Sequence, residues 1–242
     1  MKDQVSERLL EHYDQKYAEK ASSLPSIPMK RYPTNRHEAA VKWAGSGERA
    51  MDVGAGSGAL LRSLRGAYRQ WVATELSCPR VAGLEETFQD DAGVQVLRHD
   101  IERQKLPFPE NHFDAVFLID VVEHFFDPVP PLAEIHRVMR PGGRLLIDTP
   151  NIAKWTRRLK LLCGRFPATA SLDEGLLMYD RKTPTDLHDE GHMHYFTFRS
   201  LSKLLEQRVG FSRTVACGYG RLGPLCRLWP GLLSDVFVVA VK

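Results

Sequence analysis

The chain has 242 residues, 43% of them hydrophobic and 26% charged, which is enough for one substantial core. Its 33 basic and 30 acidic residues leave a formal charge of +3 spread along the length, so bulk electrostatics give no reason to expect nucleic acid as a partner. Cys78, Cys163, Cys217 and Cys226 have no C-x-x-C spacing, which argues against a structural zinc site and a dense disulfide framework and for reduced thiols. The opening MKDQVSERLLEHYDQKYAEK is charged throughout, and no run approaches the roughly 18 to 20 apolar residues of a membrane span. A cytoplasmic location is the expectation.

No repeat or low-complexity segment interrupts the chain. Residues 1 to about 45 read as helices packed across one sheet edge, with Tyr13, Tyr17, Tyr32 and Trp43 as the packing aromatics; Tyr13 and Tyr17 stand one helical turn apart. From Arg49 onward, strands and helices alternate. Ala50 to Val53, Trp71 to Thr74, Val94 to Leu97, Ala115 to Ile119 and Arg144 to Asp148 are short apolar runs of the kind that fill a parallel sheet covered on both faces. Helices are expected over 57–66, 79–89 and 128–139, the last two opened by Pro79 and by Pro128 and Pro130, where proline loses no needed hydrogen bond. Pro141-Gly142-Gly143 is expected to end the third helix and turn into the next strand. A helix from about Arg199 to Val209, with Thr197 as its N-cap, leads to a strand over Phe211 to Cys217. Asp235 to Val241 follows after a short connection, so the two strands pair antiparallel.

The chemistry concentrates in AMDVGAGSGALLRSL, residues 50–64. Gly54, Gly56 and Gly58 let the backbone turn and approach a ligand that a Cβ would obstruct, and the helix that follows offers free N–H groups. Gly54, Gly56 and Ala59 also fit the G-x-G-x-x-G/A dinucleotide fingerprint, so the loop alone leaves the cofactor open.

Its company is more specific. MDVGAGSG, VATEL, VLRHDI, FDAVFLIDVVEHFFDP and RVMRPGGRLLIDTPN occur in that order over residues 49–151, and with them the chain resembles the class I S-adenosylmethionine-dependent methyltransferases. HDEGHMHYFTFRSLSKLLEQRVGF looks like the C-terminal half of a branch that includes quinone-pathway and glycan-cluster enzymes. The resemblance implies a Rossmann-like, doubly wound α/β sheet of seven strands in the order 3-2-1-4-5-7-6, strand 7 antiparallel, with helices on both faces. It also implies one methyltransferase domain over 1–242: a helical cap at 1–45, a cofactor core at 46–149, a lid or substrate insertion at 150–193, and a C-terminal helix and strand pair at 194–242.

The same resemblance implies a cofactor site. Gly54, Ala55 and Gly56 approach the amino-acid end of S-adenosylmethionine, with Asp52 near its ammonium and Arg36 a candidate for its carboxylate. Glu75 takes the two ribose hydroxyls, a role that suits a carboxylate with acceptor sites on two oxygens. Leu76 flanks the adenine, Asp100 and the Ile101 N–H meet its edge, and Asp120 and Val121 lie beneath the sulfonium. A helix cap or solvated loop charge is the plain alternative for each acid.

For the acceptor side, His124 in DVVEH is the leading general base, since an unperturbed imidazole titrates near neutral pH; a structural histidine is its alternative. Asp120, Glu123 and His124 fall at i, i+3 and i+4, one face of a helix if that turn is helical. A divalent cation is one use of such a trio and a Glu123 turned into the fold is the other; the expected site counts no metal. A second cluster, His188, Asp189, Glu190, His192 and His194, precedes Tyr195-Phe196-Thr197-Phe198, and His192 is the second candidate for catalysis or substrate binding. NIAKWTRRLKLLCGRFP interleaves Lys154, Arg157, Arg158, Lys160 and Arg165 with Trp155, Leu159, Leu161 and Leu162. A lid helix whose apolar side covers the site and whose basic side is solvated is the expectation, with peripheral membrane contact through 154–165 as the alternative. Residues 166–182 read as loop.

The expected activity is methylation of a hydroxyl oxygen on a small or lipid-linked acceptor. Amine or carbon methylation, a non-catalytic interaction protein of the same fold, and an NAD-dependent oxidoreductase are the alternatives.

Overall fold

A computed structural model of the chain describes residue 14, residues 26–169 and residues 191–242. Seven strands form one sheet: β1 (Gly47–Val53), β2 (Tyr68–Glu75), β3 (Val94–Arg98), β4 (Phe113–Ile119), β5 (Met139–Thr149), β6 (Arg213–Ala216) and β7 (Val236–Val241). Their order is β3-β2-β1-β4-β5-β7-β6. The first five are parallel, while β7 runs antiparallel to both β5 and β6. This is the expected doubly wound arrangement.

The sheet is covered on both faces because its central strands alternate between two cores. Val116 and Leu118 of β4 join Met51, Leu132, Ile135 and Leu201 on one side. Ala115 and Phe117 join Leu61, Trp71, Leu146 and Phe237 on the other. Successive side chains of a strand point to opposite faces, so a central strand buried on both sides must be apolar at every position. All seven residues of β4 are buried.

Among the described residues the helices are α1 (Arg36–Trp43), α2 (Ala59–Leu64), α3 (Cys78–Phe88), α4 (Val129–Val138), α5 (Trp155–Leu162), α6 (Phe198–Lys203), α7 (Pro224–Leu228) and α8 (Pro230–Leu233). A 3-10 turn spans Val122–His124, and α6 continues into a π-type turn over Leu204–Val209. None is long and apolar enough to cross a membrane. Asn35 caps α1, its side chain accepting from the Glu38 N–H at 2.9 Å. Thr197 caps α6 as expected, and Ser200 returns the bond to the Thr197 N–H. All four cysteines are free thiols, Cys217 and Cys226 buried.

Three expectations are corrected. Pro141-Gly142-Gly143 does not end α4, which stops at Val138; the three residues lie inside β5. There the pairing jumps from Phe113↔Met139 to Ala115↔Arg144, so the extra residues bulge out of the ladder, which spares proline a donor it lacks. Asp120, Glu123 and His124 do not form one helical face: Asp120 sits at φ 62° before the 3-10 turn begins, which rotates it away from the other two. The polarity of α5 is also not the expected one. Lys154 and Arg157 turn inward onto Asp235 at 2.7 and 2.8 Å, while Trp155, Leu159, Leu161 and Leu162 are exposed. Tyr13, Tyr17, His188, Asp189, Glu190 and residues 170–182 lie outside the described residues.

Candidate methyl-donor and acceptor site

At the carboxyl end of β1 the chain must leave the sheet and enter α2 within a few residues, and the glycines make that turn. Gly54, Gly56 and Gly58 have φ of 73°, 58° and 75°, which side chains with a Cβ rarely adopt. A Cβ on Gly54 would meet Val121 Cγ2 at 2.6 Å, so the close approach of β1 and the β4 loop depends on that glycine. A Cβ on Gly56 would meet nothing nearer than Arg80 at 3.8 Å, which leaves the space beside its Cα open.

Two adjoining cavities open over the carboxyl ends of β1, β2 and β4, where open α/β sheets place their ligands. The first, of about 430 Å³, is lined by Arg36, His37, Asp52, Gly54, Ala55, Gly56 and their neighbours. The second, of about 190 Å³, is lined by Glu75, Leu76, Asp100, Ile101, Val121, Phe125 and others. Gly54, Arg80, Asp120 and His124 line both, so they form one continuous cleft. Every residue expected at the cofactor reaches it.

The Asp52 carboxylate is buried and enters no hydrogen bond or ion pair among the described residues. Burial, then the nearby Glu75 charge, pushes its carboxyl up to about 7. Glu75 is better satisfied: Oε2 accepts from Gly56 N at 2.9 Å, Oε1 from Leu76 N and Ser77 N at 2.7 and 3.2 Å, and Arg80 stands 3.7 Å away. This ties the glycine loop to the end of β2. Asp100 serves partly as a local cap, accepting from Glu102 N at 3.1 Å and pairing with Arg103.

Arg36, brought in by α1, contacts Asp120 and lies 3.8 Å from Asp148. Asp148 is wholly buried, accepts from Tyr219 Oη at 3.0 Å, and is pushed up to about 7 by burial against the pull of Arg36. Burial and the Arg36 charge also lower His37. Arg80, absent from the sequence expectations, bridges the two cavities; its only sequence signal is a basic residue in the first turn after the second strand.

On the side expected for the acceptor, the 191–196 segment packs against the 3-10 turn. Met193 N and His194 N both donate to Glu123 O, at 2.8 and 3.2 Å, and Ile152 N donates to Phe196 O at 3.0 Å. His124 Nδ1 bonds to Gly191 O at 2.8 Å. His192 is buried behind it, their ring centroids 4.8 Å apart and nearly perpendicular, with Nδ1 bonded to Thr169 Oγ1 at 2.8 Å. His192 lines neither cavity. His194 Nε2 meets Phe126 O at 3.1 Å, a structural role.

Glu123, His124 and His192 offer ligand atoms within 4.8 Å of one another, a donor set a divalent ion can accept. Asp120, held by Arg36, is not part of it. Burial pushes the Glu123 carboxyl up to about 8, and neither of its oxygens closes a hydrogen bond of good geometry.

Residues 51–147 match the methyltransferase domain family. The chain is 32% identical over 111 residues to a ubiquinone biosynthesis O-methyltransferase of Xylella fastidiosa, covering 44% of this chain and 43% of that protein. It is also 32% identical over 108 residues to a ubiquinone/menaquinone biosynthesis C-methyltransferase of Pseudomonas savastanoi, covering 42% and 41%. The chain thus spans less than half the length of either relative. A solved methyltransferase of Archaeoglobus fulgidus shares the fold at TM-score 0.55 and 17% identity, over 81% of this chain and 86% of its own. Together the sheet order, the glycine cleft and the 51–147 match make the chain similar to methyltransferase domains, with the fold it shares with the Archaeoglobus protein.

Proposed function

We propose that the protein transfers a methyl group from S-adenosylmethionine to a hydroxyl oxygen of a small or lipid-linked acceptor, with His124 as the base that takes the acceptor's proton. The observation that carries this reading is the His124 Nδ1 to Gly191 O bond of 2.8 Å. A backbone carbonyl only accepts, so neutral His124 keeps its hydrogen on Nδ1 and its lone pair on Nε2. His124 lines both halves of the cleft.

The residues present fit the donor. The Asp52 carboxylate, buried and without a partner among the described residues, has the chemistry to receive an ammonium, which would restore its ionised form. The open space beside the Gly56 Cα suits a close approach, and Glu75 retains acceptor capacity beyond its three backbone N–H partners for ribose hydroxyls. Leu76, Asp100 and Ile101 would hold the adenine, and Asp120 and Val121 the region between the two substrates. The bound donor supplies a methyl group made electrophilic by a positive sulfur.

What remains for the chain is to orient the acceptor and accept its proton at His124 Nε2, a contribution of about 10²- to 10⁴-fold for a placed base. His192 is a positioning residue: packed on the His124 ring and tied to Thr169, it limits the rotation of that ring. The O-methyltransferase relative and the placed imidazole favour oxygen as the acceptor atom. The C-methyltransferase relative supports carbon as the second reading. The exposed Trp155, Leu159, Leu161 and Leu162 of α5 support a lipid-linked acceptor and peripheral membrane contact.

The test is a screen of hydroxylated acceptors for label from S-adenosylmethionine, with calorimetry for S-adenosylhomocysteine and NAD alongside. Labelled methyl ether is the expected product. Binding of NAD without S-adenosylhomocysteine would overturn the assignment, and label found on carbon would select the second reading.

A further inference from the structure

Away from the cleft, a groove of about 480 Å³ opens on the β6 side of the sheet, between the end of α1, the β5–β7–β6 ladder and α7. Its floor is Val215, Val239 and Val241, and Trp43 stands at one side. Arg144, Arg213 and Arg227 line it from three different elements, β5, β6 and α7. The strand register fixes part of this geometry: Arg144 and Arg213 are both paired with Val241, one on each side of β7. Residues paired directly across antiparallel strands share a face, so the two arginines flank Val241 with Cα atoms about 10 Å apart, two strand spacings.

All three arginines are exposed, and among the described residues no carboxylate pairs with any of them. The nearby acid, Asp114, is already engaged by Arg140. Lys42 adds a fourth cation beside them. Its Nζ lies over the Tyr32 and Trp43 rings at 5.7 and 5.4 Å, and burial, then the charges of Arg227 and Arg31, lower its pKa. Like charges are therefore gathered here without a counter-charge among the described residues.

We infer that this groove binds an organic phosphate, its phosphoryl oxygens on Arg144, Arg213 and Arg227 and its apolar body on Trp43 and the valine floor. The volume falls in the range of about 300 to 1,000 Å³ typical of small-molecule sites. Guanidinium forks offered from three directions match the several acceptor oxygens of a tetrahedral phosphate, whereas a planar carboxylate is satisfied by a single fork. The groove shares no lining residue with the cleft, so its ligand is separate from both substrates of the methyl transfer.

Phenyl phosphate tests this by calorimetry on the full chain, with S-adenosylhomocysteine held at saturation so that the cleft cannot account for the heat. The comparison is Arg213→Ala/Arg227→Ala, two exposed positions, with its thermal melt checked against the parent. The expected result is saturable binding at least tenfold tighter in the parent than in the double variant, and tighter for phenyl phosphate than for inorganic phosphate. Absence of binding, equal affinity in the two proteins, equal affinity for inorganic phosphate, or arginine-dependent binding of a glutamate-rich peptide in place of phenyl phosphate would each overturn it.

Discussion

The imidazole Nδ1 of His124 lies 2.8 Å from the carbonyl oxygen of Gly191, a residue 67 positions later in the chain. The bond joins the loop after β4 to the segment that returns from the 150–193 insertion. It fixes which ring nitrogen is left to accept a proton, and it makes the ring's orientation depend on that returning segment.

His124→Ala is therefore expected to lower turnover by about 10²- to 10⁴-fold while S-adenosylhomocysteine affinity stays within a few fold. The pH–rate profile should lose its imidazole limb. His192→Ala, which removes the packing behind His124 and the bond to Thr169, should cost less and keep that limb. Full activity in His124→Ala would remove base catalysis by this residue.

Asp52 connects the cleft to stability. Its folded pKa, near 7, lies above the ordinary carboxyl value of 3.8. The native state therefore holds a proton that the unfolded state releases between those pH values, and stability falls as pH rises from about 4 to 7. Asp52→Asn should remove this loss, on the order of 1 to 4 kcal/mol at pH 8 relative to pH 5, while weakening S-adenosylhomocysteine. Melting temperatures at the two pH values and one ligand titration check both arms. A parent-like pH dependence in the variant would show that the carboxyl is not shifted.

Gly54→Ala places a methyl 2.6 Å from Val121 Cγ2 on a backbone at φ 73°. Loss of about 1 to 3 kcal/mol is expected from the combined strain and clash, measured by urea unfolding. Gly54→Ala/Val121→Ala should recover the clash but not the strain, leaving it between parent and single variant.

Asp235 ties α5 to β7. Burial raises its pKa, but Lys154 and Arg157 outweigh that and hold it below the ordinary value. The stabilisation is thus present above the ordinary carboxyl pKa and lost as pH falls through the lowered one. Asp235→Asn should cost about 1 to 3 kcal/mol and speed amide exchange in α5 selectively. Unchanged exchange in 155–162 would show that the helix is anchored elsewhere.

Much of the fold was legible because its signals are local. The apolar runs at 50–53, 71–74, 115–119 and 144–148 fall within observed strands, and Pro79, Pro128 and Thr197 mark helix starts at or beside their true positions. Pro141-Gly142-Gly143 was misplaced because a proline-glycine pair marks a break in regular pairing without saying whether that break is a turn or a bulge. The trio of Asp120, Glu123 and His124 could not be resolved from spacing, which gives a shared face only where the backbone is helical: Asp120 has positive φ, and Glu123 is the one turned into the fold.

The chain by itself determined the half of the cleft proposed for the donor. Its parts follow a single turn from β1 into α2 and the ends of neighbouring strands, so proximity in sequence and strand order suffice to assemble Asp52, Gly54, Gly56 and Glu75. Tertiary structure alone decided the rest. The Gly191 bond that orients His124, the Arg36 contact with Asp120, the inward turn of Lys154 and Arg157, and the three arginines around Val241 all join residues far apart in the chain. Such pairings depend on how the sheet and helices pack in three dimensions, and no periodicity or local spacing encodes them.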